Sequence, residues 1–406
     1  MTPNPAPPRP DVASLFSDDA VRMDLLRERA HNMRWAELPP DVIALTAADP
    51  DFPVAREIRD AICDYVDGGV LSYGPPAGLE RFRRSAARVA RERKGLDCTW
   101  ERVLATDSAA AAMHVVSRFV LRPGDEAIVF DPVDFLFQQS AEAAGATVVR
   151  SPIDPSSGAF DLDDVRRRIT PRTRLVGLCN PHNPLGLVAS EDELRGLGEL
   201  ALEHDLWIMS DEIWSDIVFE PARHVSLASL GPDIASRVLT VFGFSKSYGL
   251  AGLRIGFVVA PDDATFGDLL EASRAPSTMT GASTLSQIGA QAAYDLADPW
   301  LEAFLEHLRR LRDHAVERLD AMEGVTCRPP QGTYLLFPDV SSFGRSSMDV
   351  HRHLLEEGRV AVVPGAPRWF GPGAEGHLRI AFPTSRRILD EGLDRMEAAL
   401  GTLDRA

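Results

Sequence analysis

Thr240-Val241-Phe242-Gly243-Phe244-Ser245-Lys246-Ser247-Tyr248-Gly249-Leu250 reads as an apolar strand running into a turn of small residues, with one lysine at the bend. The chain has only one other lysine, Lys94, against 41 arginines, the 43 basic residues less these two. A guanidinium stays charged at any relevant pH, whereas a buried lysine amine loses its proton readily and condenses with a carbonyl. A solvated charge has no place at the end of such a strand, so Lys246 is expected to be a carbonyl-binding amine. Lys94 ends the charged stretch Arg91-Glu92-Arg93-Lys94-Gly95 and reads as a solvated cation.

The 406 residues suit two domains, or one large domain with a satellite, and 45% hydrophobic with 25% charged residues is ordinary globular composition. A formal charge of −17 argues against nucleic acid or an anionic membrane as partner, because both require a basic face. Cys63, Cys98, Cys179 and Cys327 are widely spaced with no CxxC pair, so neither a metal site nor a disulfide framework is expected, and a reducing cytoplasm fits. The first ten residues, Met1 to Pro10, are proline-rich without an apolar h-region and read as an extended arm rather than a signal peptide. No apolar run approaches membrane-spanning length.

From about residue 100, short apolar strands alternate with longer helical patterns, which predicts an α/β fold with a mostly parallel sheet. Seven strands are expected at Arg102–Ala105, Glu126–Phe130, Thr147–Ser151, Arg174–Cys179, Trp207–Ser210, Val238–Phe242 and Ile255–Val259. Helices are expected at Ala109–Val120, Phe137–Ala144, Leu162–Ile169 and Glu191–His204, the last capped by Ser190 ahead of an acidic first turn. After about residue 290 the pattern becomes that of a smaller α+β domain. It has a long amphipathic helix Trp300–Met322, strand-like Gly332–Pro338, a helix Met348–Glu357, strands Val360–Val363 and His377–Phe382, and a last helix from Arg387 to Leu400. The division expected is 1–48 as an arm and small-domain segment, 49–290 as the large domain, and 291–406 as the small domain.

Four motifs stand in the order and spacing that a pyridoxal-phosphate site requires. Asn180-Pro181-His182-Asn183-Pro184-Leu185-Gly186 follows a strand, at the sheet edge where open α/β folds place ligands, and brings Asn183 to a ring oxygen. Trp207-Ile208-Met209-Ser210-Asp211-Glu212 ends a strand in a carboxylate able to hold a pyridine nitrogen protonated, 28 residues beyond Asn183. Ser245-Lys246 is the third motif. Gly252-Leu253-Arg254-Ile255-Gly256 is the fourth, placing a bidentate phosphate partner eight residues past the lysine.

The combination resembles the aminotransferase class I/II family of fold-type I pyridoxal-phosphate enzymes over nearly the whole chain. The resemblance implies a large domain built on a mostly parallel seven-stranded sheet, a smaller α+β domain, and a homodimer with shared active sites. It implies that Tyr73, in Tyr73-Gly74-Pro75-Pro76-Ala77-Gly78-Leu79, reaches the cofactor of the partner subunit. It also implies that the turn Thr106-Asp107-Ser108-Ala109 binds the cofactor phosphate through Ser108 and Ala109, with Ser245 and Arg254. Val363-Pro364-Gly365, Trp369-Phe370-Gly371 and His377-Leu378-Arg379-Ile380 match the C-terminal motifs, and Arg379 falls where the family binds the substrate carboxylate together with Asn183. Lys246 and Asp211 are then the catalytic pair, Lys246 forming the internal aldimine, and the activity implied is amino-group transfer from an α-amino acid.

Three positions depart from the pattern. Trp214 stands where a tyrosine usually bonds the cofactor's phenolic oxygen, and an indole N–H donates but cannot act as an acid. Asp134 stands where an aromatic usually stacks on the ring, leaving Phe135 or Phe137 as substitutes. Gly243 stands where many relatives carry a phosphate-binding hydroxyl. Trp214 resembles the carbon–sulfur lyase branch, so β- or γ-elimination or replacement is the alternative activity. A non-catalytic sensor is disfavoured, because Lys246, Asp211 and Arg379 are all retained. His182 and His224 read as loop residues, and Trp300, Phe135, Phe137 and the Met279 region as core or pocket lining.

Overall fold

The computed structural model describes residues 12–153 and 158–403; the proline-rich stretch expected to form an arm lies outside them. The strands in chain order are β1 Ile43–Ala44, β2 Val103–Thr106, β3 Glu126–Asp131, β4 Thr147–Pro152, β5 Thr173–Cys179 and β6 Trp207–Asp211. They continue with β7 Val238–Gly243, β8 Gly256–Val259, β9 Leu335–Leu336, β10 Val360–Ala361, β11 Val363–Pro364 and β12 Leu378–Ala381. Seven of them form one sheet in the order β2-β8-β7-β6-β5-β3-β4, in which only β8 runs antiparallel to its neighbours. All seven expected strands are present within a residue or two at each end. The near-continuous apolar character of the inner strands follows from burial on both faces; every residue of β7 is buried, whereas the edge strand β4 is mostly half-buried or exposed.

Helices cover the sheet where the periodicity places them, including Ala109–Val120 and Glu191–Glu203. In the second, Ser190 Oγ accepts from the Glu193 N–H and the Glu193 carboxylate accepts from the Ser190 N–H, a reciprocal cap worth about 1 kcal/mol. The parallel strands β2, β5, β6 and β7 all end at one edge of the sheet. Ser108, Asn180, Asp211 and Lys246 therefore enter the same space from four different strands.

The remaining strands form a three-stranded sheet β11-β12-β9 and a parallel pair β1-β10. The pair ties Ile43–Ala44, far upstream, to Val360–Ala361. Phe16 is also anchored there, its ring 5.1–5.6 Å from those of Phe52, Trp300, Phe304 and His307. Trp300 and Phe137 are core, as their composition implies.

Four expectations are corrected. The strand expected over Gly332–Pro338 is only Leu335–Leu336. The single strand expected at Val360–Val363 is two, because β10 pairs with β1 whereas β11 pairs with β12. Met279 is neither core nor pocket lining but 76% exposed. Lys94 is no solvated cation: the helix Glu80–Lys94 stops at Gly95 in the left-handed conformation, and Lys94 Nζ lies 2.5 Å from Asp216 with little of either side chain exposed.

Gly256 opens β8 directly against the start of helix Ala109–Val120. A Cβ there would lie 2.6 Å from the Ala109 nitrogen and 2.7 Å from the Ser108 carbonyl carbon, both backbone atoms that cannot step aside. Gly256→Ala should therefore lower folding stability by about 1–3 kcal/mol, read as a lower urea midpoint at unchanged slope.

Candidate active site

A cavity of about 420 Å³ opens at the C-terminal edge of the large sheet. Its lining includes Ser108, Ala109, Phe135, Asn183, Asp211, Trp214, Ser245, Lys246, Arg254 and Arg379, ten of the eleven residues expected from the sequence. The eleventh, Tyr73, does not line it and is 97% exposed.

Lys246 leaves the end of β7 and donates from Nζ to the carbonyl of Ala48 at 2.7 Å, with the Trp214 ring centroid 5.3 Å away. Burial lowers its pKa to about 8, Asp49 opposes that, and Arg379 adds to it. The sequence expectation of an amine that sheds its proton near neutrality thus has a physical cause in the fold.

Asp211 closes β6, with Oδ1 accepting from the Ile213 N–H at 3.2 Å. Burial raises its carboxyl to about 7, with the Ile213 N–H opposing and Asp134 adding to the rise. A carboxylate so desolvated, with one backbone donor, suits a cationic partner that enters the cavity.

Asp134, Asn183 and Arg379 form a relay across the cavity. The Leu136 N–H donates to Asp134 Oδ1 at 3.0 Å, and Asn183 Nδ2 donates to Asp134 Oδ2 at 2.7 Å. Arg379 Nη1 donates to Asn183 Oδ1 at 3.3 Å and Nη2 to the Thr46 carbonyl at 3.1 Å. The Arg379 Nε is buried without a partner, and burial lowers the group's pKa to about 10. A guanidinium held at one edge with an unmet donor is suited to an incoming carboxylate.

The opposite wall is an anion cradle. Ser108 caps helix Ala109–Val120, accepting from the Ala111 N–H at 3.0 Å, and Arg254 Nη2 donates to the same oxygen at 3.1 Å. The early N–H groups of that helix, at Ala109 and Ala110, lie in the cavity lining beside Ser245. Gly243 fits closely here: a Cβ at that position would meet the Ile213 side chain at 2.9 Å and Ala109 at 3.2 Å, so Ile213 would have to move to admit the hydroxyl many relatives carry. These features fit pyridoxal phosphate: an anion cradle, a desolvated amine, an underpartnered carboxylate and a guanidinium with an orphaned donor.

Trp214 is nearly fully buried, edge-on to Tyr334 with ring centroids 4.7 Å apart, and it lines the cavity rather than packing behind the sheet. Phe135, edge-on to Trp369 at 5.8 Å, lines it too, whereas Phe137 is buried beneath Gly177. His182 and His224 lie in loops as expected, yet His182 is buried and the His224 side chain is only 5% exposed. Sequence reasoning missed the upstream segment: Ala47, Ala48, Asn32 and Met33 line the cavity, and the Thr46 and Ala48 carbonyls hold Arg379 and Lys246. Backbone acceptors carry no side-chain signature, so no sequence signal could have found them.

The family model for aminotransferase class I and II matches residues 40–396. The chain is 33% identical to the aspartate/prephenate aminotransferase of Thermus thermophilus over 89% of its length and 91% of that protein's. It is 29% identical to the cystathionine beta-lyase PatB of Bacillus subtilis over 89% and 93%. The crystal structure of an aromatic aminotransferase from Pyrococcus horikoshii superposes with a TM-score of 0.83 at 29% identity, covering 89% of this chain and 96% of that one. The chain belongs to the aminotransferase class I and II family, and it is an aminotransferase dependent on pyridoxal phosphate.

Borohydride reduction of the holoenzyme followed by peptide mapping should leave the pyridoxyl group on Lys246; finding it on Lys94 would refute the assignment. Because the folded-state pKa of Lys246 lies below the ordinary lysine value, the free amine gains population as pH rises through about 8. Cofactor uptake by the apoprotein should rise over that range. Between that pH and the usual lysine value the unfolded chain binds more protons, so this group's contribution to apoprotein stability also rises with pH.

Proposed function

We propose that this enzyme exchanges the amino group of an α-amino acid, with Lys246 as the amine that holds the cofactor carbonyl and then moves the proton. The observation that carries the reading is a single cavity holding a desolvated Lys246, a buried Asp211, an Arg379 with an unmet donor and an anion cradle at Ser108 and Arg254. When bound, pyridoxal phosphate supplies a reactive carbonyl and an electron-withdrawing ring. Arg254, Ser108, Ala109 and Ser245 take the phosphate, Asp211 keeps the ring nitrogen protonated, and Asn183 and Trp214 flank the ring oxygen. Phe135 takes the stacking place that Asp134 leaves. Arg379 clamps the substrate carboxylate, which fixes the Cα–H bond near Lys246 Nζ. The free amine there accepts the α-proton and returns it. We assign the cofactor to a large domain of residues 49–290, with residues 291–406 and the segment 1–48 forming the small one.

A second reading, β- or γ-elimination or replacement, has two observations in its favour: Trp214 enters the cavity where the family resemblance places a phenol, and one relative is named a lyase. The two readings diverge in products. Keto-acid exchange with a second amino acceptor supports transfer, and release of ammonia with pyruvate supports elimination. Asp211→Asn keeps the shape but removes the charge on the ring nitrogen. It should lower turnover roughly 100- to 1,000-fold with cofactor retained, and unchanged turnover would remove the role given to Asp211.

We further propose a homodimer whose partner subunit supplies Tyr73, working in amino-acid biosynthesis in the cytoplasm. Val70, Leu71 and Tyr73 are 70%, 62% and 97% exposed, and Met279 is 76% exposed. The Tyr73 segment runs beside Thr284, so these side chains share one region of surface that a second copy would cover. Four free thiols support a reducing compartment. Mixing inactive Lys246→Ala subunits with inactive Tyr73→Ala subunits should restore part of the activity through heterodimers; full activity in a monomer, sized by light scattering, would contradict shared sites.

A further inference from the structure

The charged groups lining the cavity are Lys246, Arg254 and Arg379 against Asp134 and Asp211. The reading above gives every one of them a task except Asp134: amine, phosphate, substrate carboxylate and ring nitrogen take the other four. No cation among the described lining residues is left to receive a second substrate carboxylate. The one charge without a task is negative. It lies a single amide from the guanidinium that takes the α-carboxylate, since Asn183 bonds Asp134 at 2.7 Å and Arg379 at 3.3 Å. The remaining lining near it is apolar, with Met33, Leu136, Trp369 and Phe370.

We infer that Asp134 is a specificity-determining residue, and that the site selects α-amino acids with neutral or cationic side chains while rejecting those with a side-chain carboxylate. The inference rests on the transamination reading and deepens it. An acidic side chain would extend from a Cα held by Arg379 into a chamber of about 420 Å³ that already contains the Asp134 carboxylate. Like charges a few ångströms apart at a partly desolvated site separate competing substrates by roughly 10- to 100-fold, and the repulsive element discriminates where attractive contacts are shared. Aspartate specificity in a relative is therefore no guide to this chain, whose cavity carries a carboxylate where the family resemblance places an aromatic.

Asp134 also accepts from the Leu136 N–H, so a purely structural role in starting helix Leu136–Ala143 is the competing account. Asp134→Asn keeps an oxygen for that bond and removes the charge. Holoenzyme is mixed with single amino acids, without acceptor, and the conversion of the cofactor's visible band gives kcat/KM for leucine, phenylalanine, arginine, aspartate and glutamate. For the native enzyme, aspartate and glutamate should fall at least about 10-fold below the best neutral or basic substrate. Asp134→Asn should raise the ratio of aspartate to that substrate by about 10-fold, and Asp134→Glu should hold it low. Aspartate as the best native substrate, or an Asp134→Asn enzyme in which all rates fall together at unchanged ratio, overturns the inference while leaving transamination intact. A band that no amino acid converts overturns transamination and this inference with it.

Discussion

Desolvation of the Lys246 amine is the constraint around which the site is arranged. A lysine with its Nζ against a backbone carbonyl at the end of a buried strand cannot be hydrated as an exposed one is, so its proton is held loosely, at a pKa of about 8. Asp49, Asp134 and Asp211 favour the charged form, and Arg379 works against it. Without the carboxylates the cation would be costlier to bury, and without Arg379 less of the amine would be unprotonated near neutral pH. The balance requires charges of both signs within one cavity, and those charges come from segments hundreds of residues apart.

That requirement explains why the segment Thr46–Ala48 matters although none of its side chains is chemical. Its carbonyls accept from Arg379 and from Lys246, and the Ala48 carbonyl also accepts from the Tyr334 hydroxyl at 3.1 Å. The segment is placed by the short parallel pairing of Ile43–Ala44 with Val360–Ala361. The β1-β10 ladder thus fixes the distance between the amine of the large sheet and the guanidinium of the smaller one. Holding each cation partly by a backbone acceptor, rather than by a direct ion pair, leaves the cavity's side-chain carboxylates available to ligands.

Most of the large sheet was legible because its inner strands are buried on both faces and so are written as continuous apolar runs. Asp211, Lys246, Asn183 and Arg254 were legible because each stands in a motif beside a strand end, whereas Ser108 and Arg379, the latter inside strand Leu378–Ala381, were reached only through the family resemblance. The short strands β9, β10 and β11 were not: two-residue pairings carry no period, and whether Val360–Val363 serves one sheet or two is decided by partners elsewhere in the chain. Lys94 was misread because the charges beside it in sequence point to solvent, while the helix end turns it toward Asp216, more than a hundred residues away.

That misreading also shows why both lysines survive in an arginine-rich chain. The segment Asp211–Asp216 carries the Asp211 carboxylate, the Ile213 N–H that holds it, and Trp214. Burial alone would raise the Asp216 carboxyl, but Lys94 at 2.5 Å brings it below the ordinary value, so the far end of the segment is fixed by a part-buried ion pair. Removing one partner of such a pair leaves the other charge partly desolvated and unpaired. A guanidinium is longer and planar, and it could not place one compact charge at that distance. Lys246 faces one end of the segment across the cavity and Lys94 grips the other from behind. In the proposed reading the amine at Lys246 serves for its chemistry and the ammonium at Lys94 for its compact charge, and both converge on the strand end that positions Asp211.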